Sequence, residues 1–149
     1  MRRGFVIVIV VLFASSCAHA GARTSQDRFE AILQGVADAW NAGDAAAAAN
    51  LFAEDAVYLE PPDRQLYRGR RALYEFFGGD QKIPMSMTWH HLAFDETAQI
   101  GFGEYTFKGT NQYHGIVVVR IRDGKIANWR EYQYKSAEPW SVFTTENPF

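Results

Sequence analysis

The chain has 149 residues and a net charge of −2, with 48% apolar and 15% aromatic side chains. This composition excludes disorder for the body of the chain, and the length supports about one domain with a single core. An acidic surface has little attraction for phosphate backbones, so we expect no nucleic-acid partner. The single cysteine excludes both a disulfide framework and a thiolate metal site.

The first twenty residues have the pattern of an export signal. Arg2 and Arg3 precede an apolar run over 5–14, and small residues follow, which is the order found in secretory signal peptides. The apolar run of about ten residues is too short to span a bilayer as a stable helix. Loss of residues 1–20 would change the net charge from −2 to −4. We therefore expect an exported protein, either periplasmic or secreted.

Two processing routes remain open at the end of this signal. The segment 18–20, Ala-His-Ala, fits cleavage after Ala20. The segment 14–17 resembles a bacterial lipobox that would make Cys17 a lipidated first residue. It departs from that pattern at Ala14, where a lipobox usually carries Leu or another branched residue. A lipid anchor on Cys17 is the one membrane contact that we expect for this chain.

Hydrophobic periodicity then predicts two helices. Apolar residues at i, i+3, i+4 and i+7 spacing predict an amphipathic helix over 25–40, with Ser25 as its N-cap. Gly43 suits the left-handed conformation that follows a helix end. Asp44 is predicted to cap a second helix, from residue 45 to 52 or 53.

The remainder of the chain reads mainly as strands. A strand over 56–60 is followed by a loop and a short helix over 70–77, and Asp123-Gly124 indicates a tight hairpin turn. Helices segregated from an antiparallel sheet define an α+β fold. We place the domain at 25–136 and a C-terminal tail at 137–149. The four remaining predicted strands are 86–94, 99–108, 112–122 and 125–134.

Several segments, taken in order, resemble one protein family. The segments 40–44, 51–56, 68–70 and 122–132 are similar to the SnoaL-like branch of the nuclear transport factor 2-like superfamily, and the resemblance covers about 29–134. It implies a cone-shaped, curved antiparallel sheet wrapped around helices, with a small-molecule site at the open mouth. It also implies a homodimer built on the outer sheet face. Members of the superfamily include ketosteroid isomerase-like and limonene-epoxide hydrolase-like enzymes, polyketide cyclases, dehydratases and binding domains, so the fold does not determine the reaction.

Glu60 is the first candidate catalytic residue. It ends an apolar strand immediately before Pro61, and the resemblance implies a general base at this place. An apolar wall raises the pKa of a carboxylic acid toward neutrality, where it can shuttle a proton. The alternative is a glutamate at a strand end that is solvated or that caps a loop.

Glu131 is the second candidate. Strand alternation places it on the same face as Trp129, which we expect to be buried. The resemblance to epoxide-hydrolase-like proteins implies an acid here that activates a water. The alternative is an ion pair with Arg130 or Arg120 on the outer face. Two carboxylates in one apolar cavity would have different pKa values and would form an acid and a base.

The chain also departs from the reactions of these relatives. The enolate donors of the isomerases fall on Val36 and Val117, which cannot donate a hydrogen bond. Because loss of one such donor typically costs ~10²–10³ in rate, we do not expect a steroid-isomerase mechanism. An Arg and an Asp of the epoxide-hydrolase-like trio fall on Tyr105 and Phe107, whereas Tyr58 matches its water-holding tyrosine.

The predicted lining is therefore aromatic and aliphatic, and it suits a flat, hydrophobic organic ligand. We expect either an acid/base enzyme that uses Glu60 and Glu131 with help from Tyr58, or a binding or dimerisation module without turnover. No histidine spacing with a nearby acid indicates a metal, so neither a metal nor a cofactor is expected. The predicted ligand-binding residues, whose side chains would equally suit a solid core, are Trp89, His91, Tyr105, Phe107, Val117 and Trp129.

Overall fold

The computed structural model describes residues 23–61, 65–83 and 85–149. The predicted signal, both processing routes and Cys17 lie outside these ranges. Of the helices in the described part of the chain, none has the length and apolar content needed to cross a membrane.

Two helices open the described chain, and both begin at the predicted caps. In α1, Gln26–Asn41, and α2, Ala45–Asn50, the side-chain oxygens of Ser25 and Asp44 accept first-turn backbone N–H groups at 3.3 Å and 2.8 Å. Each cap satisfies a donor that has no partner within its helix. Helix α2 is shorter than predicted, because the first strand begins directly after it.

The strands form one six-stranded sheet in the order β2-β1-β6-β5-β4-β3, with the first three helices on its inner face. The α+β class is confirmed. Helix α3 is Arg70–Phe76 and α4 is Trp140–Phe143. The strands are β1 Phe52–Glu60, β2 Gln65–Arg68, β3 Ser86–Asp95, β4 Ile100–Lys108, β5 Gln112–Arg122 and β6 Lys125–Lys135.

Two expectations about this sheet are wrong. Strand β1 pairs parallel to β6, so the sheet is mixed rather than antiparallel. Strand β2 lies in a segment that was predicted to be a loop, where it pairs antiparallel with β1. Both errors concern β1, whose neighbours are a strand at the far end of the chain and a four-residue edge strand with little pattern of its own.

A register shift in β3 turns His91 away from the inner face. The pairing between β3 and β4 shifts between Trp89 and His91, and an extra residue in one strand reverses the alternation of the side chains beyond it. His91 therefore lies on the outer face, where its Nδ1 is 2.8 Å from Glu104 Oε2. The prediction that His91 faces the hollow together with Trp89 is wrong for this reason.

The C-terminal tail packs on the outer face of the sheet. The Trp140 ring stacks on His90 with 4.1 Å between centroids, and Phe143 lies 4.6 Å from His114. Thr106 Oγ1 is within hydrogen-bond distance of ring nitrogens of both histidines. Helix α4 thus covers this part of the outer face. The same face leaves four large apolar or aromatic residues exposed: Phe102, Ile116, Tyr132 and Tyr134.

Candidate functional site

A cavity of about 260 Å³ opens on the inner side of the sheet, beside the end of α1 and helix α3. No lysine, arginine or histidine is among the described residues that line it. Six aromatic rings line the cavity: Trp40, Tyr58, Phe76, Phe77, Phe107 and Tyr113. Its polar lining consists of Glu60, Gln65, Glu131 and Gln133.

Alternation in two adjacent strands supplies the polar groups. In β1, Tyr58 and Glu60 are buried, and in β6 the same holds for Trp129 and Glu131. The parallel pairing places Tyr58 opposite Trp129, and their rings stack at 5.9 Å. The register of β6 is fixed by the Asp123-Gly124 turn, whose φ values of +51° and +71° are those of the predicted two-residue hairpin loop.

Glu131 has the densest set of polar contacts in the cavity. Its side chain accepts hydrogen bonds from the hydroxyls of Tyr58 and Tyr105 and from Trp129 Nε1, the last at 3.1 Å. Burial raises the pKa of Glu131; the three hydrogen bonds oppose this rise, and the charge of Glu60 adds to it. The predicted inward orientation is thus the one observed, and no arginine in the described chain pairs with this carboxylate.

The two tyrosines are firmly protonated donors. Burial, together with the neighbouring Glu131, raises the pKa of both Tyr58 and Tyr105 well above the ordinary value of 10.0. Each phenol therefore stays protonated at any physiological pH and donates a hydrogen bond to the same carboxylate. This arrangement stabilises the ionised form of Glu131 without supplying a positive charge.

Glu60 is buried to 5% exposure but is less completely bonded. Its Oε1 accepts a hydrogen bond from Gln133 Nε2, and Gln133 Oε1 lies 3.4 Å from the Tyr105 hydroxyl. The Gln133 amide therefore lies between the two carboxylates. The second oxygen of Glu60 accepts no hydrogen bond from a residue in the described ranges. Glu60 is thus the carboxylate with free lone pairs in the cavity.

The predicted site residues divide into two groups. The three predicted catalytic residues Glu60, Glu131 and Tyr58 line one cavity, together with Phe107. Tyr105 contacts the site only through its hydroxyl group, which donates a hydrogen bond to Glu131. The cavity lining does not include Trp89, Val117 or Trp129. These three side chains fill the space between α1 and the sheet, which agrees with the alternative that they form a solid core.

Other lining residues were not predicted as part of a site. The apolar periodicity of their helices predicts core packing for Trp40 and Phe76, and Gln65 lies in the segment after residue 60 that the sequence predicts to be a loop. Gln133 shares the alternation of Glu131, and this signal could have identified it. Nothing local in the sequence marks Met85.

A larger groove of about 540 Å³ lies on the outer face, between the C-terminal segment and strands β3 and β4. It contains the pair of His91 and Glu104, whose side chains are 47% and 31% exposed. Water screens charges at such exposure, so we place the candidate site in the inner cavity. Across the described ranges, no group of three or more His, Cys, Asp or Glu residues could hold a metal ion.

Gly115 protects the contact between Tyr105 and Glu131. A Cβ at this position would lie 2.5 Å from the Tyr105 hydroxyl and 2.6 Å from the backbone oxygen of Tyr132. We expect Gly115→Ala to lower the free energy of unfolding by ~1–3 kcal/mol, measured by urea denaturation, because the backbone must shift.

The matched control is Gly35→Ala in α1, where a Cβ meets only a flexible Leu51 methyl group at 3.2 Å. A helical Gly→Ala change stabilises by up to ~1 kcal/mol. Equal effects at Gly35 and Gly115 would contradict the proposed role of Gly115.

Comparison with known proteins identifies the family. A family model described as "SnoaL-like domain" matches residues 33–129. No curated protein sequence gives a significant match.

Three solved structures have the same fold. A candidate ketosteroid isomerase from Kribbella flavida has a TM-score of 0.65 at 20% identity, covering 79% of this chain and 86% of its own. A nuclear transport factor 2-like protein from Burkholderia xenovorans has a TM-score of 0.61 at 18% identity, covering 83% and 94%. An LEH-like epoxide hydrolase from M. tuberculosis has a TM-score of 0.63 at 17% identity, covering 73% and 84%. With its family model spanning 33–129, the chain belongs to the SnoaL-like domain family and has the nuclear transport factor 2-like fold.

Proposed function

We propose that this chain is an enzyme that moves protons on a hydrophobic small molecule with its own side chains. The observation that carries the proposal is the pair of carboxylates, Glu60 and Glu131, in one ring-lined cavity. Their hydrogen bonding is unequal, since three donors reach Glu131 and one reaches Glu60. Carboxylates in unequal surroundings take different protonation states and form an acid and a base.

The two carboxylates have distinct roles in this proposal. Glu60 is the base, because one of its oxygens has no hydrogen-bond donor among the described residues. Glu131 is the acid, because burial raises its pKa and its donors stabilise the carboxylate once the proton has left. Tyr58 lines the cavity and donates to Glu131, so its hydroxyl connects the acid to the ligand.

The cavity also limits the ligand. Aromatic walls, two carboxylates and the lack of a cationic residue in the described lining favour a neutral molecule over an anion. The volume of about 260 Å³ is slightly below the range of roughly 300–1,000 Å³ that is usual for ligand pockets. We propose a ligand of one or two rings. Proteins of this fold include isomerases, cyclases and epoxide hydrolases.

Export and homodimer formation stay predictions. Export rests on Arg2, Arg3 and the apolar run that follows them. Fractionation of cells that express the full chain tests it, and palmitate labelling of Cys17 separates a lipid anchor from cleavage after Ala20. Light scattering on the mature domain tests the homodimer.

The proposed function is tested by two measurements on the folded protein. Carbon-13 NMR of labelled glutamate carboxyls, with Glu131→Gln for assignment, is expected to show Glu131 titrating above its ordinary value near 4.5. In parallel, NMR in D₂O follows a panel of one neutral cyclic ketone, one epoxide and one β-hydroxy ketone. We expect conversion or carbon-bound deuterium exchange with at least one of the three.

Tyr58→Phe is expected to lower this rate by about tenfold or more, because acid/base assistance contributes ~10²–10⁴ in rate. Tyr134→Phe is the matched control, because Tyr134 is 66% exposed on the outer face and should have no effect. A Glu131 that titrates normally, with no reaction on the panel, would leave only the binding module.

A further inference from the structure

A groove of about 420 Å³ lies on the outer face of the sheet, where β1, β6 and β5 run side by side. Three polar side chains line it: Arg120, Asn128 and Arg130. Strand alternation turns them outward, because the neighbouring Val119 and Trp129 are buried in the core. This arginine groove shares no lining residue with the inner cavity or with the groove beside the C-terminal segment.

The register of the sheet brings the two arginines together. Arg120 of β5 lies directly opposite Asn128 of β6, and Arg130 follows two residues further along β6. The two arginines are therefore diagonal neighbours on one face, where Cβ atoms lie roughly 7–8 Å apart. Arginine side chains are long enough to bring both guanidiniums to a ligand placed over Asn128.

The charges of these two arginines are not neutralised by a neighbour. Neither guanidinium forms an ion pair with a carboxylate in the described ranges, whereas three other arginines do: Arg70, Arg71 and Arg122. Guanidinium groups stay charged at any physiological pH, so two like charges lie side by side. An anion placed between them would replace repulsion by attraction. A carboxylate suits this place because its two oxygens can accept from guanidinium N–H groups in pairs.

The rest of the groove indicates that this anion carries an apolar chain. Strand β1 flanks the arginines on one side and β4 on the other, and both contribute aliphatic surface. An inorganic anion would leave this surface in water, whereas a methylene chain would cover it, which is favourable in proportion to the area buried. The half-buried aliphatic side chains of the groove are Val57, Leu59, Ile100 and Val118.

An extended anionic partner fits the outer face poorly. The larger groove on the same face is lined by Glu104 and Glu146, and the chain as a whole has a net charge of −2. A flat anionic membrane or a nucleic acid would meet these carboxylates as well as the arginines. A small molecule meets the arginines alone.

We propose that the arginine groove binds an amphipathic carboxylate, a single negative charge on an aliphatic chain. The carboxylate lies between Arg120 and Arg130 and accepts from both guanidiniums and from the Asn128 amide. The chain lies along the aliphatic side chains. This site is separate from the inner cavity, so it does not depend on the proposed function.

The test titrates the full chain, with nitrogen-15 in its arginine side chains, with octanoate. We expect the Nε–H resonances of Arg120 and Arg130 to shift and to saturate at one octanoate per chain. Added salt should weaken the binding, because the charges are exposed. Acetate should bind at least tenfold more weakly than octanoate, since it has no chain to bury. Octan-1-ol, which has no charge, should not shift the two resonances.

Substitution of the arginines gives a second measurement. Arg120→Gln and Arg130→Gln are each expected to weaken octanoate binding by about fivefold, the upper end for a solvent-exposed charge pair, and the double variant should show no saturation. The matched control is Arg28→Gln, which removes the same charge from an exposed position on α1 and should leave the affinity unchanged.

Three results would overturn this inference. Equal binding of acetate and octanoate would mean that the aliphatic side chains play no part. An equal loss in Arg28→Gln would mean that octanoate responds only to net charge. Light scattering accompanies each titration, because the predicted homodimer would use the same face. A shift that follows a change in particle mass, without saturation at one octanoate per chain, would assign the effect to assembly instead.

Discussion

Replacing Glu60 with glutamine is expected to lower turnover by about 10²–10⁴-fold, the usual contribution of a general base. Glutamine has the shape of glutamate and keeps an oxygen that accepts from Gln133 Nε2, as Glu60 does. It cannot take up a proton. We therefore expect the free energy of unfolding to change by less than ~1 kcal/mol, so that the loss of rate is chemical rather than structural. The measurement is the rate at saturating substrate, using whichever compound of the panel reacts.

The matched control for this substitution is Glu104→Gln. Glu104 is a partly buried strand glutamate that contacts His91 on the outer face, outside the inner cavity. It should retain full activity. A Glu60→Gln protein that keeps more than half of the wild-type rate would remove Glu60 from the mechanism and favour the binding module.

Replacing Glu131 with glutamine is expected to flatten the pH dependence of stability. Burial raises the pKa of Glu131 in the folded chain above its ordinary value near 4.5, so folding favours the neutral acid. Its contribution is fully present below the unfolded pKa and is lost as pH rises through the folded pKa. A tenfold difference in proton affinity between the two states corresponds to about 1.4 kcal/mol. The wild type should therefore lose stability relative to Glu131→Gln from about pH 4.5 upward.

The measurement is the free energy of unfolding by urea at pH steps from 4 to 8 for both proteins. Their difference isolates Glu131, because every other titrating group is common to the two. The difference in the free energy of unfolding should become constant above the pKa of Glu131 in the folded chain. The pH at which this plateau begins therefore gives that pKa. A difference that does not change with pH would mean that Glu131 ionises in the fold as readily as in the unfolded chain.

Most helices and strands could be predicted because their signals are local. The periodicity of α1, the caps Ser25 and Asp44, and the Asp123-Gly124 turn each depend on residues within a few positions of one another. The pairing of β1 could not be predicted in this way, since β6 is about seventy positions away in the chain. Strand β2 was missed because four edge residues carry too little pattern.

The candidate site could be predicted only for residues that strand alternation or the family resemblance assigns to it. Glu60 and Glu131 were expected to share a cavity with Tyr58, and the structure places all three in its lining. The chemical roles of these three residues stay predictions until the variants are measured. His91 was misassigned because one irregular pair in β3 reverses the faces of the strand, and no local feature of the sequence marked that irregularity.

The sequence by itself determined the family, the α+β class and which side chains most strands turn inward, because these follow from composition and from periods of two and 3.6 residues. Only the tertiary structure decided which inward groups meet. It brought the hydroxyls of Tyr58 and Tyr105 onto Glu131 and left the Trp40 N–H without an acceptor among the described residues. Hydrogen bonding depends on distances between atoms far apart in the chain, and these are set only when the strands are paired and α1 is packed against them.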